Sequence, residues 1–330
     1  MSGPVASRPI VVAIVAPGGY APDPAGIARA DALLLSQGCE VRHFDAADGR
    51  YLRFAGTDAA RLAGLHAAAR DPEVDVVLPL RGGYGTSRLL QWIDFPLLAE
   101  SGKLFIGHSD VTVLNLGLLA HGAASFAGTS LSGDFASAEV SAFTMAQFWG
   151  CLRGPAHTVT FAAEGNPMID ARGMLWGGNL AMIAHLAGTP WMPSVDGGIL
   201  FLEDINEHPF RVERMLLQLL HAGVLERQAA LVLGDFSGGR TSEYDNGYDF
   251  AAMLTFIRSR INVPILTGLP YGHIPDKTTL AIGSDASLVS TAQGVTLTMR
   301  GYPHLAGRAG PRIAQGSFPS VGAVAALPIR

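Results

Sequence analysis

The sequence predicts an α/β protein built on a parallel sheet, on three observations. Short continuous apolar runs rich in Val, Ile and Leu alternate with helical patterns through the first half. Such runs suit strands buried on both faces, the condition of a parallel sheet covered by helices. The chain has 330 residues, 48% of them apolar and only 15% charged. That is too apolar for a disordered chain, and too long for one comfortable core. Two domains are therefore expected, 1–150 and 171–330, with a passage over 151–170.

The elements follow in order. Ile10–Val15 reads as the first strand and Ala25–Gln37 as an amphipathic helix that Gly38 ends. Glu40–Phe44 is the second strand, Ala55–Arg70 a helix, and Val74–Leu80 a strand buried on both faces. Ser87–Ile93 has a helical pattern, Lys103–Ile106 is a strand, and Val111–His121 a helix. The stretch Gly150–Ala171 is poorer in periodicity and carries Pro155, Gly165 and Pro167, so it reads as the passage between domains. Beyond it, Gly198–Leu202 is a strand. A helix runs from Pro209, which suits a first turn, to His221, with Gly223 as its stop. Ala230–Leu233 is a strand and Asp249–Arg260 a helix. From Thr279 the pattern turns strand-like, with a turn at Gln293-Gly294.

Composition excludes several classes. The net charge is −5, from 23 basic and 28 acidic residues in no block, so a nucleic-acid footprint is not expected. Lys103 and Lys277 are the only lysines, which leaves two candidates for any lysine chemistry. Cys39 and Cys151 cannot build a disulfide scaffold or a thiolate metal cluster, and a reducing compartment fits them. The apolar run after Arg8 ends at Pro17-Gly18-Gly19 and reads as a buried strand rather than a signal peptide. No uninterrupted apolar run reaches the length of a membrane span. No His-Glu-x-x-His or similar ligand spacing appears, so neither a metal nor a cofactor is expected.

Three strand ends carry residues with chemical potential. Arg81-Gly82-Gly83-Tyr84-Gly85 follows a strand and opens a helix. Glycines there let a backbone approach a ligand, and free N–H groups suit an anion or an oxyanion. The same loop can be a plain glycine turn. Gly107-His108-Ser109-Asp110-Val111-Thr112 puts Ser109 where a strand hands over to a helix, as an N-cap or as a nucleophile on a sharp turn. Val111 stands where the α/β-hydrolase elbow has its second glycine, so that signature is absent. Third, the strand ending in Leu202 runs into Glu203-Asp204-Ile205-Asn206-Glu207. Carboxylates near a helix start are often caps, but Glu203 follows four buried-looking residues and needs a partner. Among the histidines, His273 lies between turn formers past a strand, and His108 and His208 are rivals for a base.

These motifs, in this order, resemble the LD-carboxypeptidase family of serine peptidases, which holds the muramoyltetrapeptide carboxypeptidases and the microcin immunity peptidases. Besides the first two, the resemblance rests on Gly177-Gly178-Asn179-Leu180 with Gly188-Thr189-Pro190. It rests also on Leu202 to Glu207 followed by Arg211 and Arg214, and on Gly272-His273 followed by Leu280 to Gly283. It spans roughly residues 10 to 310.

The resemblance implies a flavodoxin-like N-terminal α/β domain, a β-rich α/β C-terminal domain, an active site between them and a homodimer. It implies Ser109 as nucleophile, His273 as general base and Glu203 as the residue that orients the imidazole. The N–H groups of Asp110 and of Gly83 would form the oxyanion hole. Arg81, Tyr84 and Asn179 are candidate substrate contacts, and Arg88 is a further charge partner for a terminal carboxylate. The implied reaction removes the terminal D-alanine of a murein tetrapeptide, as in recycling of wall fragments in the cytoplasm. Two alternatives stand beside it. One is an immunity-type peptidase that cuts an aminoacyl-nucleotide antibiotic, where Trp176 or Trp191 would offer a stacking face. The other is a non-catalytic protein that binds a small acid at the Arg81 loop.

Overall fold

The strand at the head of the chain is apolar on both faces because it lies inside a sheet, and the rest of the first half is arranged around it. The computed structural model describes residues 8–44, 49–162 and 164–306. The outer ends of the two expected domains, 1–7 and 307–330, lie outside the described residues.

The first half runs β1 (Ile10–Val15), α1 (Pro24–Ser36), β2 (Cys39–His43), α2 (Asp58–Arg70) and β3 (Val76–Pro79). A 3-10 helix (Thr86–Trp92), α3 (Phe95–Glu100), β4 (Leu104–Gly107), α4 (Thr112–Ala120), β5 (Ser125–Ala127) and α5 (Ala142–Arg153) follow. The second half runs β6 (Ala156–Phe161), β7 (Ile169–Asn179), α6 (Leu180–Leu186), β8 (Ile199–Glu203), α7 (Pro209–His221) and β9 (Ala230–Leu233). It continues with α8 (Phe250–Arg260), β10 (Ile265–Thr267), β11 (Leu280–Ile282), β12 (Asp285–Thr291) and β13 (Gly294–Arg300).

The first sheet has the order β2-β1-β3-β4-β5-β11. Its five leading strands are parallel, and β11 joins β5 antiparallel. The order 2-1-3-4-5 is the flavodoxin-like one, with its switch point between β1 and β3. Ligands in such sheets bind beyond the carboxyl ends of the strands. Those ends are Gly18-Gly19 after β1, Arg81 to Gly83 after β3, and His108-Ser109 after β4.

The second sheet has the order β10-β9-β8-β7-β12-β13-β6. Its first four strands are parallel and the rest antiparallel. β7 serves both parts: Ile169 to Met174 pair with β12, and Leu175 to Asn179 with β8. The two halves pack together where α4 meets α6 and β7, and where β11 meets β7. The stretch 151–170 carries the end of α5 and the edge strand β6. Among the described residues no helix is long and apolar enough to cross a membrane.

Local chemistry explains most boundaries. α2 begins at Asp58 because Thr57 caps it, its hydroxyl accepting from the Ala60 N–H at 3.2 Å. α7 begins at Pro209, whose missing N–H is no loss in a first turn. β12 and β13 alternate buried and open residues, as strands with one covered face do.

Candidate active site

The turn after β4 positions Ser109. β4 ends at Gly107, and α4 begins at Thr112 after a single 3-10 turn. Between them Ser109 has φ +62°, a left-handed conformation that costs a non-glycine residue roughly 1 kcal/mol or more. Its surroundings hold it there. The Val111 N–H donates to the His108 carbonyl at 3.2 Å and closes the turn. Asp110, buried, accepts at one oxygen from the Thr86 N–H at 2.9 Å and the Thr86 hydroxyl at 2.7 Å. Asp110 thus ties the serine turn to the glycine loop, although burial raises its pKa above the ordinary range. Gly82 lies so close that an added Cβ would sit 3.0 Å from the Ser109 Cβ. A larger residue there would press on the serine turn.

The second sheet supplies the partner groups. Glu203 is the last residue of β8 and is fully buried. Its Oε2 bonds His273 Nδ1 at 2.8 Å, and its Oε1 accepts from the Asn179 side-chain amide at 3.1 Å. The same amide donates to Asp204 Oδ1 at 3.0 Å. Asp204 also accepts from the N–H groups of Ala181 and Ile205, at 2.8 Å and 2.9 Å. Burial, with a smaller push from neighbouring Glu203, raises the Asp204 pKa to about 6. A carboxylate whose oxygens are both engaged leaves His273 Nδ1 as donor and Nε2 free for the cavity.

Ser109, His273, Arg81, Gly82 and Gly83 line one cavity of about 310 Å³. A second, of about 370 Å³, shares His108, Gly133 and His273 with it and extends past Ile205 and Lys277. The structure therefore brings Ser109, His273 and Glu203 together, with the Gly83 and Asp110 backbones around the serine. It does the same for Arg81, whose side chain donates to the Tyr20 carbonyl at 3.3 Å.

Other predicted residues stand elsewhere. Asn179 is buried beneath the site and holds carboxylates rather than lining either cavity. Tyr84 is exposed and packs its ring toward Phe54, 6.2 Å between centroids, off the cavity wall. Arg88 is taken up by Asp58, to which Nε and Nη2 donate at 2.9 Å and 2.7 Å. Among the rival histidines, His208 caps α7 and pairs with Asp245 at 3.1 Å. His108 lines both cavities but bonds no carboxylate.

Three features escaped the sequence reading. The Gly18-Gly19 turn cradles the glycine loop, the Gly19 N–H donating to the Gly82 carbonyl at 3.1 Å. Its signal was present, since Pro17-Gly18-Gly19 follows a strand. Asp204 is buried beside Glu203, and only the fold reveals its three donors. The Lys277–Asp134 ion pair, 2.5 Å long and buried at both ends, joins residues 143 positions apart, beyond any local pattern.

Comparison with known proteins matches this architecture in both halves. The family model for the LD-carboxypeptidase N-terminal domain matches residues 12–128, and that for the LD-carboxypeptidase C-terminal domain residues 172–288. A probable murein peptide carboxypeptidase of Bacillus subtilis (strain 168) is 32% identical over 283 residues, 84% of this chain and 88% of that protein. The murein tetrapeptide carboxypeptidase of Pseudomonas aeruginosa is 33% identical over 242 residues, 70% of this chain and 77% of that protein. The crystal structure of muramoyltetrapeptide carboxypeptidase from Oxalobacter formigenes is 51% identical, with a TM-score of 0.86. The match covers 89% of this chain and 99% of that one. Two family models in the right order, and relatives of this identity along most of their length, establish that this chain belongs to the LD-carboxypeptidase family.

Proposed function

We propose that this protein is a serine LD-carboxypeptidase that removes the terminal D-alanine from murein tetrapeptides, with Ser109, His273 and Glu203 as its triad. The observation that carries the reading is the 2.8 Å bond from His273 to a fully buried carboxylate, made on the wall of the cavity that holds Ser109. Glu203 fixes the tautomer, so His273 Nε2 is the free acceptor for the serine proton.

The reaction follows the acyl-transfer logic of such a triad. Ser109 Oγ attacks the carbonyl at the L-centre of the diamino acid while His273 takes its proton. The tetrahedral oxyanion forms, then collapses. The C–N bond breaks, and His273 returns the proton to the departing amine of D-alanine. Water, deprotonated by His273, then hydrolyses the acyl-enzyme and regenerates Ser109.

The Asp110 and Gly83 N–H groups are the proposed oxyanion donors. The Gly82 carbonyl points to the Gly19 N–H, and a trans peptide turns the Gly83 N–H the opposite way. Losing one such donor typically costs about 2.7–4 kcal/mol of barrier. Arg81 is the proposed partner of the substrate's terminal carboxylate, since no carboxylate of the protein pairs with it among the described residues. We further place the nucleophile on a first domain over 1–150 and the Glu and His on a second over 171–330. The protein acts as a cytoplasmic homodimer in this reading, in keeping with two free, buried cysteines.

Mass spectrometry of a muramoyl tetrapeptide, incubated with the protein and with its Ser109→Ala variant, tests the reading. Loss of one alanine is expected with the unaltered protein only. No loss with either removes the muropeptide assignment.

A further inference from the structure

Two imidazoles pack against each other beside the serine, and their surroundings differ sharply. The His108 and His273 ring centroids are 4.4 Å apart, with the planes tilted by 47°. His273 is partly open and bonded to Glu203. His108 is 7% exposed, and neither of its nitrogens has a hydrogen-bond partner. The groups around it are His273, the Tyr271 ring edge at 6.5 Å, and the Lys277 ammonium held by Asp134. Glu203 lies behind His273 and spends its oxygens on His273 and Asn179. Among the described residues no acceptor lies within hydrogen-bond distance of either His108 nitrogen. Burial first, then Lys277 and His273, drive its pKa well below the ordinary 6.5.

A buried side chain without polar partners acts on its neighbours through packing alone. We infer that His108 is a positioning residue for His273: a neutral ring, one residue before the nucleophile, that backs the base imidazole and keeps its free nitrogen turned toward Ser109. His108 has extended backbone, φ −146°, while Ser109 is left-handed. One strained turn thus presents the hydroxyl on one side and the backing ring on the other. Without that ring the His273 side chain is anchored by the Glu203 bond alone and can swing about it. Carbon faces do this work, which is consistent with two ring nitrogens that bond nothing.

The inference rests on Ser109 and His273 as nucleophile and base, so the test separates the two. The labelling rate of Ser109 by an alkyl fluorophosphonate, read by intact mass, reports serine activation whatever the peptide substrate. It is measured for the unaltered protein, Ser109→Ala, His108→Phe, His108→Gln and His108→Ala, beside tetrapeptide turnover, its pH profile and thermal unfolding. His108→Ala and His108→Gln are expected to slow labelling and kcat about 10- to 100-fold, with KM within about twofold. His108→Phe is expected to stay within about threefold of the unaltered protein and to keep its acid limb unshifted.

Several results overturn the inference. A Phe variant as slow as Ala would give the work to the ring nitrogens. A Phe variant without the acid limb would make His108 the titrating base. Ala and Gln variants of full rate would leave His108 without a positioning role. If His108→Ala does not fold, the Phe and Gln variants decide alone. Labelling with this pattern but without alanine release would sink the muropeptide assignment and leave the inference standing. No labelling of the unaltered protein would remove both.

Discussion

The bond between His273 and Glu203 makes a demand that no neighbouring residue can meet. Glu203 must accept at Oε2, so Glu203→Gln is the discriminating change: it keeps shape and most of the volume but offers an amide. Asn179 donates to Oε1, which obliges the new side chain to place its carbonyl there and its NH₂ toward His273. The imidazole then presents its proton on Nε2, the wrong tautomer for a base. Loss of kcat on the order of 10⁴-fold is expected, with the fold retained, as steady-state kinetics and circular dichroism would show together. His108 carries a second prediction, on stability. Its native pKa lies below 6.5, so below that pH the unfolded chain binds a proton that the native one refuses. Its contribution is therefore complete above 6.5 and is lost as pH falls. The drop in unfolding free energy between pH 7.5 and 5.5 should be smaller in His108→Phe than in the unaltered protein, measured by urea titration at the two pH values. An unchanged drop would mean that His108 titrates normally in the native state.

Asp110 works at the scale of elements, because it fastens the start of the 3-10 helix over Thr86–Trp92 to the turn before α4. Asp110→Ala strands two Thr86 donors but also removes a buried carboxylate. The two effects oppose each other, so a net loss of about 1–2 kcal/mol is expected. Activity should fall further than stability, since the glycine loop loses its tether while the backbone N–H of residue 110 remains. Unfolding and turnover measured on the same variant separate the two. Elements of both halves were legible in the sequence where each obeys one rule along its length. β1 is Ile10–Val15 and β9 Ala230–Leu233, as their apolar runs predict, and α7 begins and ends where Pro209 and His221 place it. β7 was not legible, because it changes rule midway. Its first residues alternate beside β12, and its last five are wholly buried beside β8. Gly177 and Gly178 sit inside the strand. An added Cβ on Gly177 would lie 1.9 Å from the Phe201 carbonyl oxygen, so close pairing explains that glycine. The proposed triad divides the same way. Ser109, Glu203 and His273 were legible as motifs at strand ends, whereas Asp204 and Lys277 gain their roles only from contacts across the fold.

The whole molecule is sewn at the active site rather than merely divided by it. The first sheet is completed by β11, a strand from the second half, which covers the edge of β5. Four residues after His273, Lys277 reaches back to Asp134 in the π-helical turn Leu131–Phe135, whose Gly133 lines both cavities. The Lys277 N–H meets the Thr144 hydroxyl at 2.9 Å, and Asp134 accepts from the Ser130 N–H at 2.8 Å. The segment that carries His273 is thereby fixed to the half that carries Ser109. An ion pair this deep is costly to form and costlier to break, because the survivor stays buried and charged. Lys277→Met should therefore lower the unfolding free energy by about 3–5 kcal/mol, and the double variant Lys277→Met with Asp134→Leu should regain most of it. Urea unfolding of the three proteins decides. If the single change costs no more than the double, the pair is not what joins the halves, and β11 with the α4–α6 packing must hold them alone. If the double variant is stable but slow in turnover, the ion pair sets the alignment of His273 with Ser109 rather than the survival of the fold.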